Sequence, residues 1–387
     1  MNSLTVEQIY PIVNSVVGQA TGNTSLTAYD ASSFVSVAEV ALKTAPDVLL
    51  SAISQTLSRT IMSVRPYTRK LKGLERSREQ FGNHVRKLNI SDRDFEKDSR
   101  FDLVDGESID MFKVRKPEIL QMNFYGQTVY SRTYTIFKDQ LDIAFSSPAE
   151  FGSFVTMVVT NCNDLIEQAH ESLARGVIAN AIGSAVTLNN PNQIVKLITE
   201  YNNLTGLSLD PNTIYQPANY TAFVEFCYSV MATIAEKLTD RTQIYHNNVT
   251  GKPISRHTPK AFQKAWIHTP EKMRMEAMAL SNVFNDRYLS GIDSEAVNFW
   301  QSAETPDSIN LTCGYTDANG NQATASVEQS DIFGLLADEE CLGYTVVNQW
   351  SASSPFNSEG GYTNTTFHFT DKYYYDNTEN SVAFLLA

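Results

Sequence analysis

Cysteine is scarce in this chain, with four in 387 residues, at 162, 227, 313 and 341. They lie far apart and form no C-x-x-C pair, which argues against a disulfide framework or a zinc site and leaves reduced thiols acting as small apolar residues. No apolar run approaches the 18 residues of a membrane span. The opening residues, MNSLTVEQIYPIVNSVV, lack the basic and apolar blocks of a signal peptide, so cytoplasmic synthesis is expected and the sequons at Asn89, Asn203 and Asn248 are expected to be idle. Charge is also sparse, at 19% against the usual figure of about 25%. Its balance is acidic, −13. A dedicated nucleic-acid grip needs a basic surplus, so at most a weak local contact with DNA is compatible with this composition.

Catalytic motifs are missing too. His170-Glu171 opens like H-E-x-x-H, but Ala174 stands where the second histidine belongs, so His170 reads as a solvated helical histidine beside Glu167 and Glu171. The Gly18–Thr24 segment has the wrong spacing for a phosphate loop, and Asn23 stands where lysine is required. No G-x-S-x-G elbow occurs. The acidic run Asp92–Asp98 begins like a calcium loop but carries Lys97 where that loop needs glycine. No catalytic residue, cofactor or metal ligand is assigned, and the chain is not read as an enzyme.

What is present is architecture. Ser147-Pro148-Ala149-Glu150 is a capping box, and Phe154, Val158, Leu165, Ala169, Leu173 and Val177 then mark one apolar stripe. The pattern predicts a helix over 147–182, roughly 35 residues and about 50 Å long. Residues 218–238 predict a second strong helix, and Pro270–Phe284 a Met-rich one. Asp317–Asn321 reads as a hairpin tip, and the chain after 341 as strand-rich. Twenty Phe and eighteen Tyr can supply a large core or aromatic interface centres. Residues 65–87 are strongly basic, with Arg69, Lys70, Lys72, Arg76, Arg78, Arg86 and Lys87, and an acidic block beginning at Asp92 and Asp94 follows at once. The basic run has three readings: a solvated face, a nucleic-acid site, or half of a subunit contact whose other half is the acidic block of a neighbour. The third accounts for both blocks.

The order of arm, charged β excursion, very long helix, mixed domain and β-rich return resembles the major capsid proteins of tailed bacteriophages. SRTIMSVRPYTRKLKGL (58–74), SPAEFGSFV (147–155) and FTDKYYYDNTENSVAFLLA (369–387) are similar to stretches of phage head proteins. The resemblance implies an α+β Hong Kong 97-type capsid fold: an N-terminal arm (1–65), an extended β loop (66–145), a peripheral domain with a spine helix (146–214), an axial domain (215–345) and a return to the peripheral domain (346–387). It also implies pentamers and hexamers in an icosahedral virion shell around double-stranded DNA, assembled in the host bacterial cytoplasm. A scaffold, a portal, and minor capsid or decoration proteins would be the partners, with no membrane. A nanocompartment shell of the same fold, and an enzyme with a dispersed site, are the competing readings. Some relatives crosslink a loop lysine to an asparagine, but no motif here marks such a pair.

Overall fold

A computed structural model describes residues 69–76, 85–92, 102–112, 118–140, 148–281 and 293–387, together with 33–38, single positions between 10 and 28, and residues 98, 114 and 116. The arm expected at 1–65 is described only at those few positions. The side chains of the capping box at 147, 149 and 150, and residues Arg78 and Asp94, lie outside the described residues.

The long helix, α1, covers Pro148–Leu188. It begins where a proline with a preset φ is expected, at its first position. It ends at Asn189, whose φ of 48° is the left-handed conformation of a helix C-terminus. The helix therefore continues past Ile182, through Gly183 and Ser184. Its burial is uneven: Ala174, Val177, Ile178, Ala181, Ile182 and Ala185 are buried, whereas Leu165 is half-buried and Met157 exposed. The expected stripe thus holds the core over the C-terminal half of the helix.

Twelve strands are described. β1 (Val85–Ile90), β2 (Ile119–Phe124) and β3 (Gln127–Phe137) precede α1. β4 (Ile194–Lys196) and helix α2 (Leu197–Thr205) follow it. Helix α3 (Tyr220–Lys237), β5 (Gln263–His268), helix α4 (Thr269–Ser281) and β6 (Asp293–Val297) come next. The chain ends with β7 (Ile309–Thr316), β8 (Gln322–Gln329), β9 (Ile332–Asp338), β10 (Leu342–Ser353), β11 (Tyr362–Tyr375) and β12 (Ser381–Leu385).

A five-stranded sheet, ordered β4-β12-β9-β5-β6, forms the centre. β9 and β12 are buried along their whole length, as strands covered on both faces are, and both read as continuous apolar runs. Alternation along β12 decides the partners. Ala383 and Leu385 pack with Ile178 and Ile182 of α1, whereas Val382 and Phe384 pack with Phe223 and Cys227 of α3. The described cysteines Cys227, Cys313 and Cys341 are free and buried.

A three-stranded antiparallel sheet, β10-β11-β3, lies against α1. Two expectations change here. The extended β loop expected over 66–145 divides, since β1 and β2 pair with each other and β3 joins β11. The cause is aromatic burial: Tyr130 stacks on Phe369 at 5.3 Å, and Tyr134 meets Phe367 edge-on at 5.9 Å. The C-terminal return also divides, because β12 leaves β11 for the central sheet. The hairpin between β7 and β8 is as expected, with Gly320 alone taking the positive φ, 83°.

Candidate assembly surface

The basic run is the place to begin, because its members meet different fates. Arg69 is buried. Its guanidinium lies 2.8 Å from Nδ1 of His170 and pairs with Glu75, and its backbone N–H donates to Glu167 at 3.2 Å. The Lys70 backbone N–H donates to Glu171 at 2.7 Å while the Lys70 side chain stays exposed. His170 continues the chain of contacts, with Nε2 placed 3.3 Å from Asp371, and Asp371 accepts from the Tyr130 hydroxyl at 2.6 Å. The solvated histidine expected at 170 is therefore buried, since Arg69 and β11 close over that turn of α1. Asp371 shares strand parity with Phe367 and Phe369, and that parity was the available signal for its inward position.

A second cluster forms around Lys87. Its ammonium lies 3.1 Å from Asp376 and pairs with Glu379, which Arg256 also contacts at 2.9 Å. Burial pulls the Lys87 pKa down, but Asp376 and Glu379 outweigh it and hold the group above its ordinary 10.5. The whole turn Asp376–Asn380 is buried. Asn377 is bonded to the Thr316 backbone through both its amide oxygen and its amide nitrogen. Asn380 engages His246 and Thr258. Composition gave no hint of this, because a polar DNTEN run reads as a surface turn.

Asp92 is likewise held within the chain, by Arg241 at 2.6 Å and by the Ser255 backbone N–H. Burial raises its carboxyl, and the Ser255 hydrogen bonds with the Arg241 charge reverse that and lower it. Of the expected contact residues, Arg69, Lys87 and Asp92 thus hold the subunit itself together. Lys70, Lys72 and Arg86 are exposed, and Arg76 is half-buried against β10. No group of three or more His, Cys, Asp or Glu among the described residues could hold a metal, and no described helix is long and apolar enough to cross a membrane.

The acidic connection from β1 to β2 is different. It is tied at its base, where the Asp92 N–H donates to Pro253 and the Ser91 N–H to Glu118. Beyond that base, Met111, Phe112 and Val114 are 82%, 79% and 76% exposed, and Leu103, Val104 and Ile109 are exposed beside them. Asp102, Asp105, Glu107 and Asp110 alternate with these apolar residues. Apolar side chains exposed in such a run are more than the single scattered ones of an ordinary surface. Sequence reading weighed the charges of this segment and missed its apolar members, since they show no helix or strand period.

A groove of about 830 Å3 lies beside α1, lined in part by Arg175, Asn180, Phe299, Tyr125 and Tyr373. Arg175 is fixed across it, 3.8 Å over the Phe299 ring and 2.7 Å from Glu171.

No curated protein matches the sequence. Among solved structures, the chain is similar to one in the capsid of Staphylococcus phage Andhra, with 8% identity, a TM-score of 0.54, and coverage of 84% of this chain and 86% of that one. It is also similar to a chain in the structure of the head fibre and inner core protein of native bacteriophage P68, with 9% identity, a TM-score of 0.53, and coverage of 84% and 86%. At such identities the likeness establishes the fold, a mixed helix-and-sheet arrangement of the Hong Kong 97 kind. The family and the similar structures are those of phages, not of nanocompartment shells or enzymes. With the model of the Phi29-like phage major capsid protein family matching residues 12–385, the chain belongs to that family and is a structural protein of the phage head.

Proposed function

We propose that this subunit builds pentamers and hexamers of an icosahedral head around double-stranded DNA, and that its acidic, apolar loop at 102–118 lies over a neighbouring copy. The exposure of Met111, Phe112 and Val114 carries the reading. Covering each such side chain contributes about 1.5–3 kcal/mol, set against the cost of bringing two copies together. Of the expected basic contact residues, Lys70, Lys72 and Arg86 are the ones left exposed to meet acidic groups of another copy. In this reading the central five-stranded sheet with α2–α4 serves as the axial domain. The β10-β11-β3 sheet with the first half of α1 serves as the peripheral domain. Assembly takes place in the host cytoplasm on a scaffold and a portal, with minor or decoration proteins added, and contact with DNA is weak because the chain carries −13.

The test is electron microscopy and sizing of purified protein, with and without scaffold, for the wild type and a Met111→Ser, Phe112→Ser double variant. The wild type is expected to form capsomers or shells. The variant is expected to keep the wild-type Tm and remain unassembled. Normal shells from the variant would remove the loop from the mechanism, and a wild type that stays monomeric under every condition would remove the mechanism itself.

A further inference from the structure

The β10-β11-β3 sheet has one face on α1 and one open face, and over residues 129–135, 348–352 and 364–370 the open face carries no charge; Lys372, next in the same row, is buried. On β3 it presents Val129, Ser131, Thr133 and Thr135. On β11 it presents Asn364, Thr366, His368 and Thr370, and on β10 Asn348, Trp350 and Ala352. The neighbouring charges point the other way: Arg132 and Asp371 alternate to the helix side, where Arg132 lies 5.7 Å over the Tyr134 ring and Asp371 meets Tyr130.

Part of the face is satisfied in its own hydrogen bonds. The hydroxyls of Thr133 and Thr366 are 2.9 Å apart, and Thr135 donates to Asn364 at 2.7 Å. Trp350 stacks on His368 at 4.0 Å while remaining 52% exposed, and Val129 is 65% exposed. Covering the paired side chains loses few bonds to water, and covering the charge-free stretch strands no ion. The open face of β7 and β8 has a similar Thr312–Ser326 pair but also carries exposed Glu328.

We propose that this face is a contact between two copies of the chain, the same face on each, related by a two-fold axis of the shell. The inference rests on the capsid reading and adds a second surface to it. The charge argument selects the occupant. Each copy carries −13, so a contact free of charge brings two copies together without adding to their repulsion. A neutral face set against a charged one would desolvate that charge without a partner, whereas two neutral faces avoid the cost. A self-matching contact of this kind is isologous. Its size also fits. Three strands about 4.8 Å apart over about nine residues give about 400 Å2 per copy, half of what a stable isolated dimer buries. Such a contact is weak alone and is multiplied by closure of the shell.

The test uses Thr366→Lys and Thr366→Glu subunits, each first compared with the wild type for Tm before assembly. Each alone is expected to lose shells, and a mixture of the two is expected to regain them, because opposite charges then meet across the axis. Val129→Glu, at an exposed position on the same face, is expected to lose shells without any change in Tm. Wild-type shell yield from each charged variant alone would overturn the proposal and leave the face to another partner. A mixture that fails while the wild type assembles would overturn the self-contact and leave the capsid reading intact. Absence of shells from the wild type would overturn both.

Discussion

Arg86 and Lys87 are neighbours of the same sign that do opposite things. Alternation along β1 leaves Arg86 exposed and carries Lys87 into the cluster of Asp376, Glu379 and Arg256. As parts of one basic run they suggest a joint role at a subunit contact, in which reversing both would spare the fold. The partners of Lys87 decide otherwise, and Glu379 stands 292 positions along the chain, beyond the reach of any local pattern. Arg86→Glu is expected to leave the Tm of the unassembled subunit unchanged and to lower assembly. Lys87→Met strips the ion partner from buried Asp376 and is expected to cost about 3 kcal/mol, the usual scale for breaking a buried pair. Thermal denaturation of the two single variants checks this. Equal Tm values would show that the Lys87 cluster contributes nothing to the fold.

Helix α1 shows what periodicity reveals and where it stops. Its start was legible in Ser147-Pro148, and its apolar stripe in the three- and four-residue spacing. Its end was not, since Gly183-Ser184 reads as a breaker. In the structure Gly183 marks a close approach: a Cβ there would lie 2.8 Å from Cγ1 of Val327 and 3.2 Å from Cβ of Cys313. The glycine lets α1 settle on the β7-β8 ladder. Gly183→Ala therefore sets a helix-propensity gain of about 1 kcal/mol against overpacking of about 1–3 kcal/mol. Destabilisation is expected, with recovery in Gly183→Ala, Val327→Ala, and a denaturant titration of both proteins measures it. A more stable single variant would mean that the ladder yields. The strands follow the same division. Alternation in TNTTFHFTD announced β11, but its pairing of Tyr362 with Phe137 joins segments with α1–α4 and β4–β10 between them, which no single-segment pattern encodes. The charged excursion was legible as a segment, while its division between two sheets depends on those distant partners.

For the whole molecule the question is how subunits of −13 come together. Two kinds of contact answer it with opposite signs. If basic Lys70, Lys72 and Arg86 met acidic loops across the interface, salt would screen the attraction and dissolve the assembly. If contacts are apolar and neutral, as Met111, Phe112 and the open face of β10-β11-β3 suggest, the main electrostatic effect is repulsion between like-charged subunits, and salt relieves it. The structure favours the second balance, because Arg69, Lys87 and Asp92 are already paired inside the subunit. Raising NaCl from about 0.01 M to about 1 M shortens the screening length from about 30 Å to about 3 Å. Over that range shell yield from purified subunits, followed by light scattering, is expected to rise, and added apolar burial at high salt acts in the same direction. Because those two effects share a sign, the informative comparison is Arg86→Glu, which adds repulsion and removes any attraction at that site. Its deficit in yield should shrink at high salt. A wild-type yield that falls as salt rises would return the main role to the exposed basic residues and their acidic partners.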